Sequence, residues 1–197
     1  CCAALAAKAA ALALFEGRFP HEVSFVLPNG ATPRFPPVDC RTGQGWAECG
    51  IVEDAGDDPD VTHGAIIRAR VERAARGAGI TFAAGEGVGT VTRPGLPLAV
   101  GEPAINPVPR RMIEEAVCEV TNAAGMSPDL TITISVPGGD RLARATLNGR
   151  LGIVGGLSIL GTTGIVRPFS CAAWIASTCP ARDGCAMIAT DNRGGHD

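Results

Sequence analysis

Leu130-Thr131-Ile132-Thr133-Ile134-Ser135-Val136 alternates apolar and hydroxyl side chains without a break. A period of two places Leu130, Ile132, Ile134 and Val136 on one face and the hydroxyls on the other, which is the pattern of a half-buried strand. Just upstream, Met112, Ile113, Ala116, Val117 and Val120 recur at helical spacing. That spacing predicts a helix starting at Pro109 or Arg110, where proline suits the first turn, and stopping at Gly125. Downstream, Pro137-Gly138-Gly139-Asp140 reads as a turn into Leu142–Leu147, expected to be the hairpin partner of the strand. Helix and strand segments follow one another with no regular βαβ rhythm and no internal repeat. The fold class expected is α+β, with mixed strands around two or three helices.

Nearer the N-terminus, Cys1 to Phe15 is almost all alanine and leucine, with Gly17 as a stop, and reads as a buried helix. It falls short of the roughly 20 apolar residues that span a bilayer. Lys8 interrupts it, and no basic lead or cleavage site marks a secretory signal. Val23, Phe25 and Leu27 read as a strand, turned by Pro28-Asn29-Gly30. Residues 31–50 hold many turn formers and little periodicity, and are expected to be mostly loop. Ile66, Arg68, Arg70 and Glu72 read as one half-polar strand. Ile80–Phe82 and Val88–Thr92 are short strand candidates. The prolines at 94, 97, 103, 107 and 109 exclude a central strand and predict an extended run across a surface. Residues 151–161 are apolar and broken by glycine. A last helix is expected after Ser170, a good N-cap.

The chain has 197 residues, with 17 Lys and Arg against 20 Asp and Glu, a formal net charge of −3. That balance excludes a general nucleic-acid binder, which needs a dominant basic surface. Aromatic residues are 4%, with no tyrosine, too few for a base-stacking sheet. Apolar residues at 46% against charged at 19% exclude global disorder. The eight cysteines contain no C-x-x-C pair and no zinc-knuckle spacing. They read as reduced thiols of a cytoplasmic protein, many buried as small hydrophobes. Neither a membrane partner nor a resident metal is expected.

The densest polar cluster runs from Glu53 to His63, where Asp54, Asp57, Asp58, Asp60 and His63 fall within ten residues. Carboxylates this close repel, so they need a cation, a donor or a shared proton. They read either as a polar wall with His63 as an acid/base candidate, or as a solvated loop of Asx-turns. The alternating spacing of an EF-hand is absent. Gly156 to Gly164 approaches a P-loop but carries Thr162 where the phosphate-binding lysine belongs, which argues against ATP. The alternative is a turn whose glycines let the backbone approach a neutral or zwitterionic ligand. Gly85, Gly87 and Gly89 lack dinucleotide-binding spacing. Arg93, Arg110, Arg111, Arg150 and Arg167 stand in or beside Gly/Pro-rich turns, and a polycarboxylate ligand would use several such guanidinium groups.

Four blocks then stand together: Asp54-Ala55-Gly56-Asp57-Asp58-Pro59-Asp60-Val61-Thr62-His63-Gly64, Gly85 to Leu96, Val100-Gly101-Glu102-Pro103-Ala104-Ile105-Asn106-Pro107-Val108-Pro109-Arg110, and Arg150 to Val166. In this order they closely resemble the cobalt-precorrin-5B C1-methyltransferase family of cobalamin biosynthesis, over residues 1 to about 177. The resemblance implies C-methylation of a cobalt corrinoid intermediate at C1, with S-adenosylmethionine as methyl donor and cobalt present only within the substrate. It places Asp54, Asp57, Asp58, Asp60 and His63 on the catalytic wall. Arg93, Glu102, Asn106, Arg110 and Arg150 are the expected substrate-binding set for acetate and propionate arms. Gly161, Thr162, Thr163 and Gly164 are the expected donor-binding turn.

The same resemblance implies a domain over 1–150 for the corrinoid, the start of a second α/β domain over 151–177, and an out-of-family tail over 178–197. On this view the chain is an incomplete methyltransferase. The alternative is a non-catalytic fragment that keeps only corrinoid or partner binding. Loss of a second domain is expected to leave apolar surface on Leu151–Val166 and to favour self-association.

Overall fold

The first helix, α1 (Cys2–Glu16), is buried on every side, with Ala6, Ala7, Ala9, Ala10 and Ala11 fully excluded from solvent. A helix apolar all round belongs inside a core. The computed structural model describes residues 2–27, 30–54 and 62–160, and in it α1 packs on both the main sheet and a second helix, α2 (Pro107–Ala123). Alanine side chains permit that close approach. Cys49 Sγ donates to the Ala6 carbonyl at 3.3 Å and ties the sheet to the helix. The one charge inside the helix, Lys8, is held by the Ser24 carbonyl at 2.9 Å and by Glu119 of α2 at 2.8 Å.

A short hairpin follows α1: β1 (Val23–Ser24) pairs antiparallel with β2 (Arg34–Phe35), and Val23, Phe25 and Leu27 are buried as their alternation predicted. The main sheet comprises β3 (Val38–Gly43), β4 (Trp46–Val52), β5 (Ile66–Arg73), β6 (Ile80–Ala84) and, after β7 (Thr90–Val91), β8 (Leu130–Ser135). Its order is β3-β4-β5-β8-β6, antiparallel except for the parallel pair β6 and β8. Ala47, Cys49, Ile51, Ala69, Val71, Leu130, Ile132 and Ile134 are fully buried and form the face turned to the helices. The opposite face carries the alternate positions, and no described helix packs on it.

Several expectations need correction. Residues 31–50 are not mostly loop. They hold β2, β3 and most of β4, with Gln44-Gly45 turning β3 into β4 and Gly45 at φ 79°. The pattern was masked because β3 is an exposed polar edge strand, broken by a register shift between Val38 and Arg41. Leu142–Leu147 is no hairpin partner. Both edges of β8 are already taken by β5 and β6, so the chain after Val136 turns into a short helix, α3 (Gly139–Ala143). The helix expected at Pro109 begins at Pro107, with Asn106 as its N-cap residue. Both prolines fit because first-turn N–H groups have no intrahelical acceptor.

The proline-rich run is only in part a surface strap. Ala104 and Ile105 are fully buried, stitched by Ala104 N–H to Gly89 O and Ile159 N–H to Ala104 O. The last strand among the described residues, β9 (Ile153–Val154), pairs with β7. The helix expected after Ser170 lies outside the described residues.

Asp39 stands at the β3 irregularity with φ 51° and puts its carboxylate on Arg68 Nη2. The hydrogen bond from Arg68, reinforced by the charges of Arg68 and Arg41, holds this carboxyl below the usual aspartate range. A lowered folded-state value stabilises the fold above the unfolded aspartate pKa, and the contribution disappears as pH falls through the folded value. Asp39→Asn is therefore expected to be less stable than the parent at pH 7 and to converge with it in acid, once the pH has fallen through the lowered folded-state value. Urea midpoints across that range measure the difference, and parallel curves would contradict the assignment.

Candidate functional site

Strand directions bring several loops to one end of the sheet. β4, β6 and β8 finish there and β5 starts there, as Val52↔Ile66, Arg68↔Ser135 and Ala84↔Ile134 show. The carboxyl end of a parallel pair is where open sheets place ligands. Three predicted segments meet at this end: the acidic connection between β4 and β5, the glycine loop after β6, and the turn after β8.

Of the acidic cluster, Asp54 and His63 are described, and both are exposed. Glu53 N–H to Ala65 O at 2.8 Å and Gly64 N–H to Glu53 O at 2.9 Å close the neck of the connection, bringing the chain around Asp54 and His63 together. Asp57, Asp58 and Asp60 lie outside the described residues. The start of α1 adjoins the same loop. The Cys2 thiol is pushed up to about 11, first by burial and then by the negative charges of Glu53 and Asp54.

The glycine loop is a packing junction. Gly87 sits at φ 71°, and a β-carbon there would run into the Val136 carbonyl and the Gly139 backbone. Leu157 N–H binds Gly87 O, Gly89 N–H binds Leu157 O, and Val136 N–H binds Glu86 O. Gly156 faces Gly87 so closely that a side chain would strike the Gly87 carbonyl. These glycines serve close contact between backbone segments, since a side chain at Gly87, Gly139 or Gly156 would meet a neighbouring main chain. Buried Asn148 latches the junction, giving Nδ2–H to Gly156 O at 3.2 Å and accepting from Ser158 Oγ at 3.1 Å.

Arg110 holds the proline run to the start of α2. Its Nε donates to Ile105 O at 2.8 Å, one terminal nitrogen to Pro103 O at 3.2 Å and the other to Glu102 at 3.4 Å. The guanidinium also lies over the Phe82 ring of β6, 5.5 Å from its centroid. The other carboxylate oxygen of Glu102 accepts from Ala99 N–H. Asn106 gives its backbone N–H to Ile159 O, and its side chain makes no capping bond. Glu102 and Arg110 are thus in direct contact, and Asn106 precedes the helix that carries Arg110. Arg93 lays its stem against Gly152, and Arg150 is exposed in the turn after α3. Gly161, Thr162, Thr163 and Gly164 lie outside the described residues.

Sequence reasoning missed Arg68 and Arg70, which stand side by side on the uncovered face of β5. Arg70 lies over the Trp46 ring at 4.0 Å and pairs with Glu72 at 2.8 Å. Their alternation with apolar residues was visible, but nothing in it separates a functional arginine from a solvated one.

Among the described residues no helix is long and apolar enough to cross a membrane, and no cluster of His, Cys, Asp or Glu is arranged to hold a metal. Two curated relatives share 61% identity with this chain over 176 residues, or 89% of it. They are the cobalt-precorrin-5B C(1)-methyltransferases of Agrobacterium fabrum and Paramagnetospirillum magneticum. The aligned region is 46% and 49% of those proteins, so the chain spans about half the length of the curated relatives it matches. A crystal structure of the cobalamin biosynthesis protein cbiD from Archaeoglobus fulgidus superposes with a TM-score of 0.61 at 29% identity, covering 89% of this chain and 56% of that one. The CbiD family profile matches residues 1–168. With the profile matching most of this chain and the α+β fold shared with a solved member, this chain belongs to the CbiD family.

Proposed function

We propose that this chain is the substrate-side part of a methyltransferase that converts cobalt-precorrin-5B to cobalt-precorrin-6A by methylating ring carbon C1 in the cytoplasm. The observation that carries the reading is the 61% identity over 176 residues to relatives named for that reaction. S-adenosylmethionine is the proposed donor and supplies an electrophilic methyl group. Such a transfer needs alignment of a carbon nucleophile with the methyl, more than acid or base strength. The chain's contribution is then a rigid frame. Arg110 and Asn148 lock two loops at the sheet end, and Asp54, Asp57, Asp58, Asp60 and His63 are the proposed polar wall of the site.

In this reading Arg110 is a positioning residue, because its donors are engaged within the frame, and Glu102 supports it through Arg110 and Ala99 N–H. Arg93, Asn106 and Arg150 are left to meet the substrate arms. Residues 1–150 form the corrinoid part, 151–177 lead into the second part, and the turn at Gly161–Gly164 is the proposed donor contact.

Equilibrium dialysis of the full chain against labelled S-adenosylmethionine and a cobalt corrinoid tests the reading. Retention of both is expected. Retention of the corrinoid alone reduces the chain to a binding fragment, and retention of neither overturns the proposal.

A further inference from the structure

The sheet face that no described helix covers is built in two levels. On β4 and β5 the side chains are mostly tall, Trp46, Glu48, Arg68, Arg70 and Glu72, with Gly50 the exception opposite Arg68. On β8 and β6 the same face is low, with Thr131, Thr133 and Ser135 registered against Thr81, Ala83 and the chain leading to Gly85. Gly85 lies so close to Ser135 that a β-carbon there would overlap the Ser135 hydroxyl. From Thr131 to Ser135 this floor runs about 13 Å along the strand, two strands wide and lined mainly by hydroxyls. Arg68 and Arg70 form the step along its length.

The two guanidinium groups are only half satisfied. Asp39 takes Nη2 of Arg68, and Glu72 takes Nη2 of Arg70. The Nε–H of both arginines is shielded from solvent and has no acceptor among the described residues. A buried donor without a partner is unfavourable, and a guanidinium binds a carboxylate best through two adjacent N–H groups. The present partners are exchangeable, because the Asp39 and Glu72 side chains are each 38% exposed and can return to water. An incoming carboxylate could replace either one and also supply the missing acceptor once the arginine lifts from the sheet.

We propose that this uncovered face, with Arg68 and Arg70 at the step and the Thr/Ser floor beside them, binds a planar ligand that carries carboxylate arms. The floor supports the ring, and the two arginines, two residues apart on β5, take two arms. The row Arg68–Ser135 adjoins the sheet end that holds the acidic connection and the glycine junction, so a ring lying here reaches the candidate site. The proposal deepens the methyltransferase reading by naming the surface on which the corrinoid lies, and it rests on that reading for the identity of the ring.

The test titrates the full chain with cobyrinic acid, a corrinoid with carboxylate arms, and with cobinamide, whose arms are amides, following the visible absorption of the ring. The carboxylate form is expected to bind, with cobinamide about tenfold weaker or more. Arg68→Gln and Arg70→Gln are each expected to lose about tenfold in affinity. Thr133→Glu, which keeps both arginines and adds a negative charge to the floor, is expected to weaken binding as well. Circular dichroism confirms that each variant is folded.

Equal binding of the two corrinoids overturns the proposal, as does affinity unchanged in all three variants, or no binding by the parent chain. A dimer that the arginine variants dissolve also overturns it, since the face would then meet a second copy. The methyltransferase reading fails separately. If methyl transfer proceeds at full rate with Arg68 and Arg70 both replaced, the face is wrong and the reading stands.

Discussion

Gly87→Ala is expected to destabilise the fold by about 3 kcal/mol or more, the sum of a left-handed backbone and an overpacked contact. The position has φ 71°, which disfavours any side chain. The clash costs more than the backbone angle does. A methyl group there meets the Val136 carbonyl and lies 2.8 Å from Gly139 N, and both are backbone atoms that cannot swing aside. Gly77→Ala separates the two effects, because Gly77 has φ 84° with nothing near its missing side chain. That control should lose only about 1–2 kcal/mol. Urea unfolding of both variants makes the comparison. Equal losses would mean that the junction of the three glycine-bearing loops is not closely packed.

Arg110→Ala is expected to cost about 2–3 kcal/mol, the scale of a charged group hydrogen-bonded to partly buried carbonyls. Three sets of contacts go at once: the carbonyls of Ile105 and Pro103, the Glu102 carboxylate and the Phe82 ring. Arg110→Lys should recover little, because a single ammonium cannot span two carbonyls and a carboxylate in the fork geometry of a guanidinium. This result separates two roles. A residue that holds a substrate arm changes ligand affinity and leaves unfolding unchanged. A residue that clamps the frame changes unfolding even with no ligand present. Full stability in Arg110→Ala would return the residue to the substrate-binding set.

The sequence made the regular elements legible where one face was buried. Leu130–Ser135 and Ile66–Arg73 alternate cleanly because each has helices on one side and an uncovered sheet face on the other. The α2 stripe from Met112 to Val120 was equally plain. Legibility failed where tertiary pairing decided the outcome. β3 has no apolar alternation, being an edge strand, and it exists because β4 offers it a partner. The segment after Val136 has strand-like residues, but no edge of β8 was left for it.

The candidate site divides in the same way. Glu102, Asn106 and Arg110 were found together because proline punctuation made their block conspicuous. The inward use of the Arg110 donors emerges only once the proline run folds back over the start of α2. Arg68 and Arg70 were hidden in an ordinary amphipathic strand, and their unmet donors and low hydroxyl neighbours emerge only from the register of four strands. Asn148, the buried latch on Gly156, carries no sequence signal beyond being a polar residue in a Gly-rich turn.

The most direct test of the account joins this chain to a working enzyme. The 176 aligned residues of the chain replace the matching region of the Agrobacterium fabrum relative, which is 61% identical over that span. The purified hybrid is given S-adenosylmethionine and cobalt-precorrin-5B, and the corrinoid is read by mass spectrometry. The account predicts that the corrinoid gains one methyl group at a rate within about tenfold of the parent enzyme, because the substrate-side frame is intact. A folded hybrid that leaves the corrinoid unmethylated, beside an active parent, would contradict it.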